Sequence, residues 1–285
     1  MMLPTDVLVV IFGLIIGSFL NVCIYRIPSR QSVVFFRSYC PDCRHPIRVL
    51  HNIPIFSYLL LLGKCGYCGK RISWVYPVVE ATTAVFFYLL FLKLGLGFPL
   101  VVNVVFFGIL IILIFVDLFG RILPDVLTIG GLVFGLLMSP LQSDKFFQAS
   151  PQFQGQIVMW INYIDSIVGI LVGGGALWIV YTLYLKLRKM EGIGLGDVKM
   201  MAMIGAFLGW NYAWLTIVLG SLLGVLVGSV FIYLYRKNSR YELPFGSFLG
   251  VAAVISTLFG NSLLVWYSSL FQYEVLHILN LQLFL

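Results

Sequence analysis

PLVVNVVFFGILIILIFVDL, residues 99–118, decides the fold. Asn103 and Asp117 are its only polar side chains. A helix rising about 1.5 Å per residue needs roughly 20 such residues to cross a hydrocarbon core about 30 Å thick. Comparable apolar runs fall at 5–24, 77–94, 123–139, 164–185, 199–214, 215–235 and 245–260. The chain of 285 residues is 61% hydrophobic and 10% charged, with mean hydropathy +1.02. A soluble domain of this size does not need so much apolar surface. The expectation is an all-α, polytopic membrane helix bundle of about eight spans.

The first run, Val7 to Tyr25, is long enough to span. It lacks a preceding basic region and a small-residue cleavage site, so it reads as a retained first helix rather than a signal peptide. Placing the N-terminus outside puts 25–76, 119–122, 186–198 and 236–244 in the cytoplasm. Of the 18 Lys and Arg residues, all but Lys93 and Lys145 then lie in or beside cytoplasmic segments. The positive-inside rule favours that orientation. The net charge of +7 is therefore topogenic, with some attraction to anionic membrane lipid, and no nucleic-acid partner is expected. Ser139 to Gln156 reads as an external loop. The tail from Asn261, with Trp266, Glu274 and His277, is expected to lie in the interface or to span poorly. Neither an internal repeat nor a low-complexity segment stands out.

One large hydrophilic segment, 25–76, interrupts the apolar pattern between the first two spans. It holds four of the five cysteines, as Cys40-Pro-Asp-Cys43 and Cys65-Gly-Tyr-Cys68. Two C-x2-C knuckles separated by 21 residues suit a tetrahedral tetrathiolate zinc site. Disulfides or redox pairs are the competing reading. They fit poorly with a reducing compartment, and a segment of roughly 50 residues needs a staple to hold a core. Four thiolates leave no open coordination position, so the zinc would be structural. Gly66 and Gly69 are expected to ease the knuckle turns. Cys23 reads as an ordinary apolar-surface residue. The surrounding Arg37, Arg44, Arg48, Lys64, Lys70 and Arg71 form a solvated basic face, or a surface for lipid, cofactor or partner.

Asp117 and Asp197 lie against membrane-spanning runs, where a carboxylate is expensive and tends to have a function. Each has a plain structural reading. Asp117 could pair with Arg121, four residues on. Asp197 could cap a helix after Gly194 and Gly196, or pair with Lys199. The topology nevertheless puts both at the same, cytoplasmic, membrane face. Two nearby carboxylates share a proton, so one can activate water while the other protonates a scissile carbonyl. That is aspartic-protease chemistry. With His45, His51 and His277 the only histidines, no Ser/His/Asp arrangement competes. There is no Walker loop or dinucleotide fingerprint. Asp125 after Pro124 reads as a helix-start residue, and Glu80 as a partner for the insert or another span. Asp165 reads as an outer-boundary residue, and Gly173, Gly174 and Gly175 as sites of close helix packing.

Seven blocks in order then resemble the type IV prepilin peptidases, bifunctional leader peptidases and N-methyltransferases of type IV pilus and type II secretion systems. They are GSFLNVCIYRIP (17–28), CPDC, HNIPIFSYLLLLGKCGYC, RISWVYPVVE, the pair FVDLFGRILPD and GIGLGDVKM, and LPFGSFLG. The resemblance implies that Asp117 and Asp197 are the catalytic pair of a GxGD-type intramembrane aspartic protease. The substrates would be prepilins or pseudopilins, cut after a short basic leader ending in glycine, at the inner membrane of a bacterium. It further implies methylation of the new N-terminus with S-adenosylmethionine, associated with the cysteine-bearing segment, where Gly63 and Lys64 match the family. His51 stands where glutamate is usual, Val75 replaces a basic residue and Ser247 replaces a proline. The expected organisation is a first helix (1–24), a cytoplasmic zinc-binding domain (25–76), a membrane peptidase domain (77–260) and a hydrophobic tail (261–285). Two other readings compete: a proton- or ion-coupled transporter with a regulatory zinc module, and a scaffold whose aspartates brace helices. A transporter would more naturally carry carboxylates near mid-membrane within a repeat architecture.

Overall fold

The computed structural model describes residues 4–34, 38–141, 156–189, 194–235 and 243–282. Helices follow the apolar runs: α1 (Pro4–Arg26), α2 (Phe56–Leu60), α3 (Val75–Leu94), α4 (Phe98–Gly120), α5 (Asp125–Met138), α6 (Gln156–Arg188), α7 (Leu195–Tyr235) and α8 (Phe245–Gln282). The described residues contain no strand, only the bridges Tyr39–Pro46 and Lys64–Arg71 in the insert between α1 and α3.

Among the described residues six helices, α1, α3, α4, α6, α7 and α8, are long and apolar enough to cross a membrane. The expected count of eight is not reached on that measure, for two physical reasons. The run at 123–139 forms a helix of only 14 residues before a 3-10 turn, about 21 Å at 1.5 Å per residue. The runs at 199–214 and 215–235 join in α7, with no boundary at 215.

Helical geometry in α7 breaks instead at Gly209, where φ is 76°. Met200 and Gly220 both lie against the Leu249–Gly250 stretch of α8, while Tyr212 meets Gly260 and Gly228 meets Leu243. These contacts require α7 to double back at Gly209 into two antiparallel arms, 195–208 and 210–235. Only glycine fits there. A Cβ would strike the Asp165 carboxylate, which accepts the Trp210 N–H at 3.4 Å and starts the second arm.

The core centres on α4, the most apolar and most buried of the spans. Phe106 and Phe107 are sealed inside, and the Phe106 ring stacks on Phe207 of α7 at 4.4 Å. Most large exposed apolar side chains lie on the outer faces of the long helices, as expected where lipid is the solvent.

Helix α6 crosses the first arm of α7 with backbone touching backbone at Gly169 and Gly205. Of the three glycines expected to pack closely, Gly173 faces the Met201 carbonyl and Gly174 the Ala202 side chain. Gly175 has nothing within 4 Å. Leucine at 205 is therefore expected to lower stability at or above the upper end of the roughly 1–3 kcal/mol of overpacking. Gly175→Ala should leave it unchanged. Thermal unfolding in detergent would compare the two, and equal melting temperatures would refute the crossing.

Helix α8 runs through Asn261 without interruption, and its apolar span extends to Ser269 rather than 260. Most of the expected external loop, 142–155 with Lys145, lies outside the described residues, as do the side chains of Glu274 and His277.

Candidate active site and cysteine centre

Asp117 sits one turn before the end of α4, which Arg121 terminates with a left-handed φ of 52° and an N–H to the Asp117 carbonyl. Asp197 is the third residue of α7. Its Oδ2 reaches back to accept the Gly194 N–H at 3.1 Å, so it closes the helix start from inside rather than as the first cap expected of it. Lys199 does not pair with it. That ammonium binds Asp125 of α5 at 2.7 Å, which gives Asp125 a partner across helices.

The two aspartates are buried and converge. The α-carbon of Gly246, at the start of α8, points between them. A Cβ built on it would lie 3.0 Å from Asp197 Oδ1 and 3.1 Å from Asp117 Oδ2, so the two oxygens are no further apart than those distances together, about 6 Å. Eighty residues of sequence separate the carboxylates, and one small space joins them.

Sequence reasoning missed the residue that holds one of them. Ser247 donates its N–H to Asp117 Oδ2 at 2.6 Å, and its hydroxyl lies 3.0 Å from the same oxygen and 2.9 Å from the Ile114 carbonyl. A hydroxyl has one proton, so it serves one of these acceptors at a time. Proline, which the resemblance led one to expect at 247, would offer neither donor. The departure at 247 was the visible signal, but nothing local ties it to an aspartate 130 positions earlier.

The four cysteines of the insert gather as their spacing predicts. Their sulfurs all lie within 4.8 Å of one another, with Cys40 and Cys68 at 4.0 Å, and all are free thiols. A tetrahedral ion with bonds of about 2.3 Å would set its sulfurs about 3.8 Å apart, so the cluster can hold a metal. The two knuckles repeat one local design. Arg44 and Gly69 return their N–H groups to the carbonyls of Cys40 and Cys65, whose own N–H groups bind the carbonyls of His45 and Lys70. Each design needs a positive φ, 56° at Arg44 and 70° at Gly69. Gly66 has no such φ. It is small because the His51 ring lies 2.9 Å from where its Cβ would be.

Thiol chemistry in the cluster is divided. Backbone hydrogen bonds from Cys68 and then Tyr67 pull the Cys65 thiol down to about 7. At Cys68 the hydrogen bond from the Lys70 backbone lowers the thiol, but desolvation and the three neighbouring thiols together push it up to about 11. Crowded sulfurs resist joint ionisation unless a cation sits among them. Lys70 also ties the knuckles together through Asp42 at 2.7 Å, an exposed pair of small energetic weight.

Glu80 anchors the insert to α3. Its partners are a backbone group and a hydroxyl rather than a basic residue: Oε2 accepts the Ile55 N–H at 2.7 Å, and the Ser18 side chain hydrogen-bonds the carboxyl group. Gly63 is buried with φ 68°, and Lys64 is exposed and bridges Arg71. Neither lies near the aspartate pair in sequence or element, and the insert carries them.

The family model described as the bacterial Peptidase A24 N-terminal domain matches residues 11–94, and that of the Type IV leader peptidase family matches 104–229. The chain is 33% identical to a prepilin leader peptidase/N-methyltransferase of Aeromonas salmonicida, over 92% of this chain and 93% of that protein. A protein of the same description from Aeromonas hydrophila is 34% identical, over 91% and 92% respectively. One from Pseudomonas aeruginosa is 30% identical over 89% and 90%. No solved structure matches the chain.

Proposed function

The chain belongs to the type IV leader peptidase family, and from that membership we propose that it is a membrane-embedded aspartic endopeptidase acting on type IV prepilins or pseudopilins. It removes the short basic leader and then N-methylates the new N-terminus. The supporting observation is the convergence of two buried aspartates, from α4 and α7, on one space beside Gly246.

In that reading Asp117 and Asp197 share one proton and hold a water between them. The ionised carboxylate takes a proton from the water as its oxygen attacks the scissile carbonyl, while the protonated one gives its proton to the carbonyl oxygen. Collapse of the tetrahedral intermediate returns a proton to the departing nitrogen. The leader ends as a glycine carboxylate, and the pilin begins with a free amine. Ser247 fixes Asp117 Oδ2, the oxygen that faces the space shared with Asp197.

Cys40, Cys43, Cys65 and Cys68 hold a structural zinc ion that staples the insert. Metal analysis should find about one zinc per chain, falling well below that in Cys40→Ser; a wild-type protein free of metal would reject the site. S-adenosylmethionine, when bound, supplies an electrophilic methyl group. The insert serves that second activity, with Gly63 and Lys64 among the residues associated with it.

The protein lies in the bacterial inner membrane with its N-terminus outside. The insert and the aspartates face the cytoplasm, a placement supported by the concentration of Lys and Arg at that end. The transporter reading has no support, since both carboxylates sit at one end of the bundle. Purified protein mixed with a prepilin should yield a shortened pilin by mass spectrometry, one methyl group heavier when S-adenosylmethionine is present. An uncut prepilin under conditions where a known leader peptidase cuts it would refute the activity.

A further inference from the structure

The middle of the insert is inside out for a segment in water. In and just after α2, Phe56, Leu59, Leu60 and Leu62 are exposed, Leu62 to 83%. Ser57 is buried between them, and its hydroxyl donates to the Leu50 carbonyl at 3.0 Å. Positions 56, 59 and 60 share one face of a helical turn. A water-facing turn buries its leucines and exposes its serine, and a contiguous apolar face of this kind marks a surface that meets a partner.

The depth of that turn says what covers it. Helices α1 and α3 lie side by side, with Gly17 against the Glu80 backbone and Gly13 against Ala84. Glu80 accepts the Ile55 N–H at 2.7 Å, and Ser18 bonds the same carboxyl group. Ile55, the residue before α2, is therefore level with Ser18 and Glu80. From Val75 to Glu80, or from Arg26 back to Ser18, that level lies about 8–12 Å inside the helix ends, at 1.5 Å per residue. Helices that lie in a membrane interface sink to about that depth, roughly 5–10 Å. Ile55 is also pinned there. Its φ of 59° is rare for a β-branched residue and persists only where the surroundings hold it, as the Glu80 carboxylate does.

The apolar face also continues a surface that meets lipid. Asn52 and Pro54 share a groove with Ile15 and Phe19, which are exposed on the outer face of α1. Just beyond Leu62, Lys64 and Arg71 face each other across a backbone bridge, both exposed, and neither ion pair among the described residues involves them. Trp74, at the foot of α3, is exposed as well. Basic residues beside an apolar face match anionic headgroups, and tryptophan favours the boundary between headgroup and acyl chain.

We propose that residues 53–62 are embedded in the cytoplasmic leaflet, with the face of Phe56, Leu59, Leu60 and Leu62 among acyl chains and Lys64 and Arg71 at anionic headgroups. The insert is then not wholly in the cytoplasm. Its cysteine knuckles stand in water, and the turn moors them to the bilayer beside α1 and α3. Glu80 and Ser18 act from inside the bundle as the latch that holds the turn at its depth. The proposal rests on the placement of the bundle in a membrane.

Wild-type protein in vesicles of phosphatidylcholine and phosphatidylglycerol tests it, with a trace of phospholipid carrying a diazirine in its acyl chain. After illumination, peptide mass spectrometry should find label on 53–62 comparable to that on Ile15 and Phe19 of α1. The knuckle peptide carrying Tyr67 should carry about tenfold less, since it stands outside the acyl region. Leu60→Asp, at an exposed position, should keep its zinc and its melting temperature in detergent. In vesicles it should lower the label on 53–62 about threefold or more, because a carboxylate resists the acyl region. Label on α1 with none on 53–62, or undiminished label in folded Leu60→Asp, would overturn the embedding alone. Absence of label from α1 as well would remove the membrane placement with it. Adding prepilin to the inactive Asp117→Asn protein should leave the label in place. Its loss from 53–62 would instead assign the face to the substrate helix, and crosslinks there between two copies of the chain would assign it to a dimer.

Discussion

Asp117→Asn and Asp197→Asn should each leave a prepilin essentially uncut, with the cleavage rate down by about a thousandfold or more. General acid–base groups contribute roughly 10²–10⁴ in rate, and here each carboxylate is asked to serve as one half of a proton relay. Asparagine keeps the shape but can neither take a proton from water nor carry one to the carbonyl. At 117 its amide oxygen can still accept the Ser247 N–H, and at 197 the Gly194 N–H, so the folded state keeps its local bonds. Melting temperatures should therefore change little. The double variant should be no slower than the worse single one, because groups that act as a unit are not additive. Initial rates with a purified prepilin, followed by mass spectrometry, measure all three. A folded single variant that cuts at the wild-type rate would remove the aspartate pair from the mechanism.

Hydropathy located the helices well where an apolar run ended in charge or proline. The limits of α1 and α4 differ from the expected spans by no more than two residues, because Arg26 and Arg121 mark a change of solvent as well as of sequence. Inside 199–235 hydropathy gave the two arms but put their boundary at 215 rather than at Gly209, because both sides of the turn are equally apolar. Gly209 looks like every other glycine there, and only the Asp165 carboxylate from α6 distinguishes it. The cysteine spacing was legible because metal geometry is written in local sequence. The aspartate pair was half legible: topology put both residues at one end, but not within reach of each other. Their meeting depends on α8, which threads Gly246 between them. The local pairing expected of Lys199 failed for a simpler reason. Side chains two positions apart on a helix diverge, so Lys199 turned away from Asp197 and met Asp125.

Gly246→Ala should cost nearly as much activity as loss of an aspartate while leaving the protein folded. The added methyl would stand 3.0 Å from Asp197 Oδ1, 3.1 Å from Asp117 Oδ2 and 2.9 Å from the Leu123 side chain. Those distances are the ones a reacting water or carbonyl must itself adopt, about 3 Å from each carboxylate. The methyl and the reaction centre therefore compete for one space. Leu123 can turn aside, since it is a side chain at the end of a short connection between α4 and α5. The carboxylates cannot move as freely, because Ser247 and Gly194 hold them. A displacement of about 1 Å in an active site can cost roughly 100-fold in rate, so a fall of that size or larger is expected. Gly250→Ala, one turn along α8, would separate crowding of the site from crowding of the helix. It meets Ile114 and Met200 but neither aspartate, so it should reduce stability more than turnover in the folded fraction. Rates normalised to folded protein decide the matter. If Gly246→Ala cleaves normally, the space between the aspartates is not where the bond is broken, whatever else the two carboxylates do.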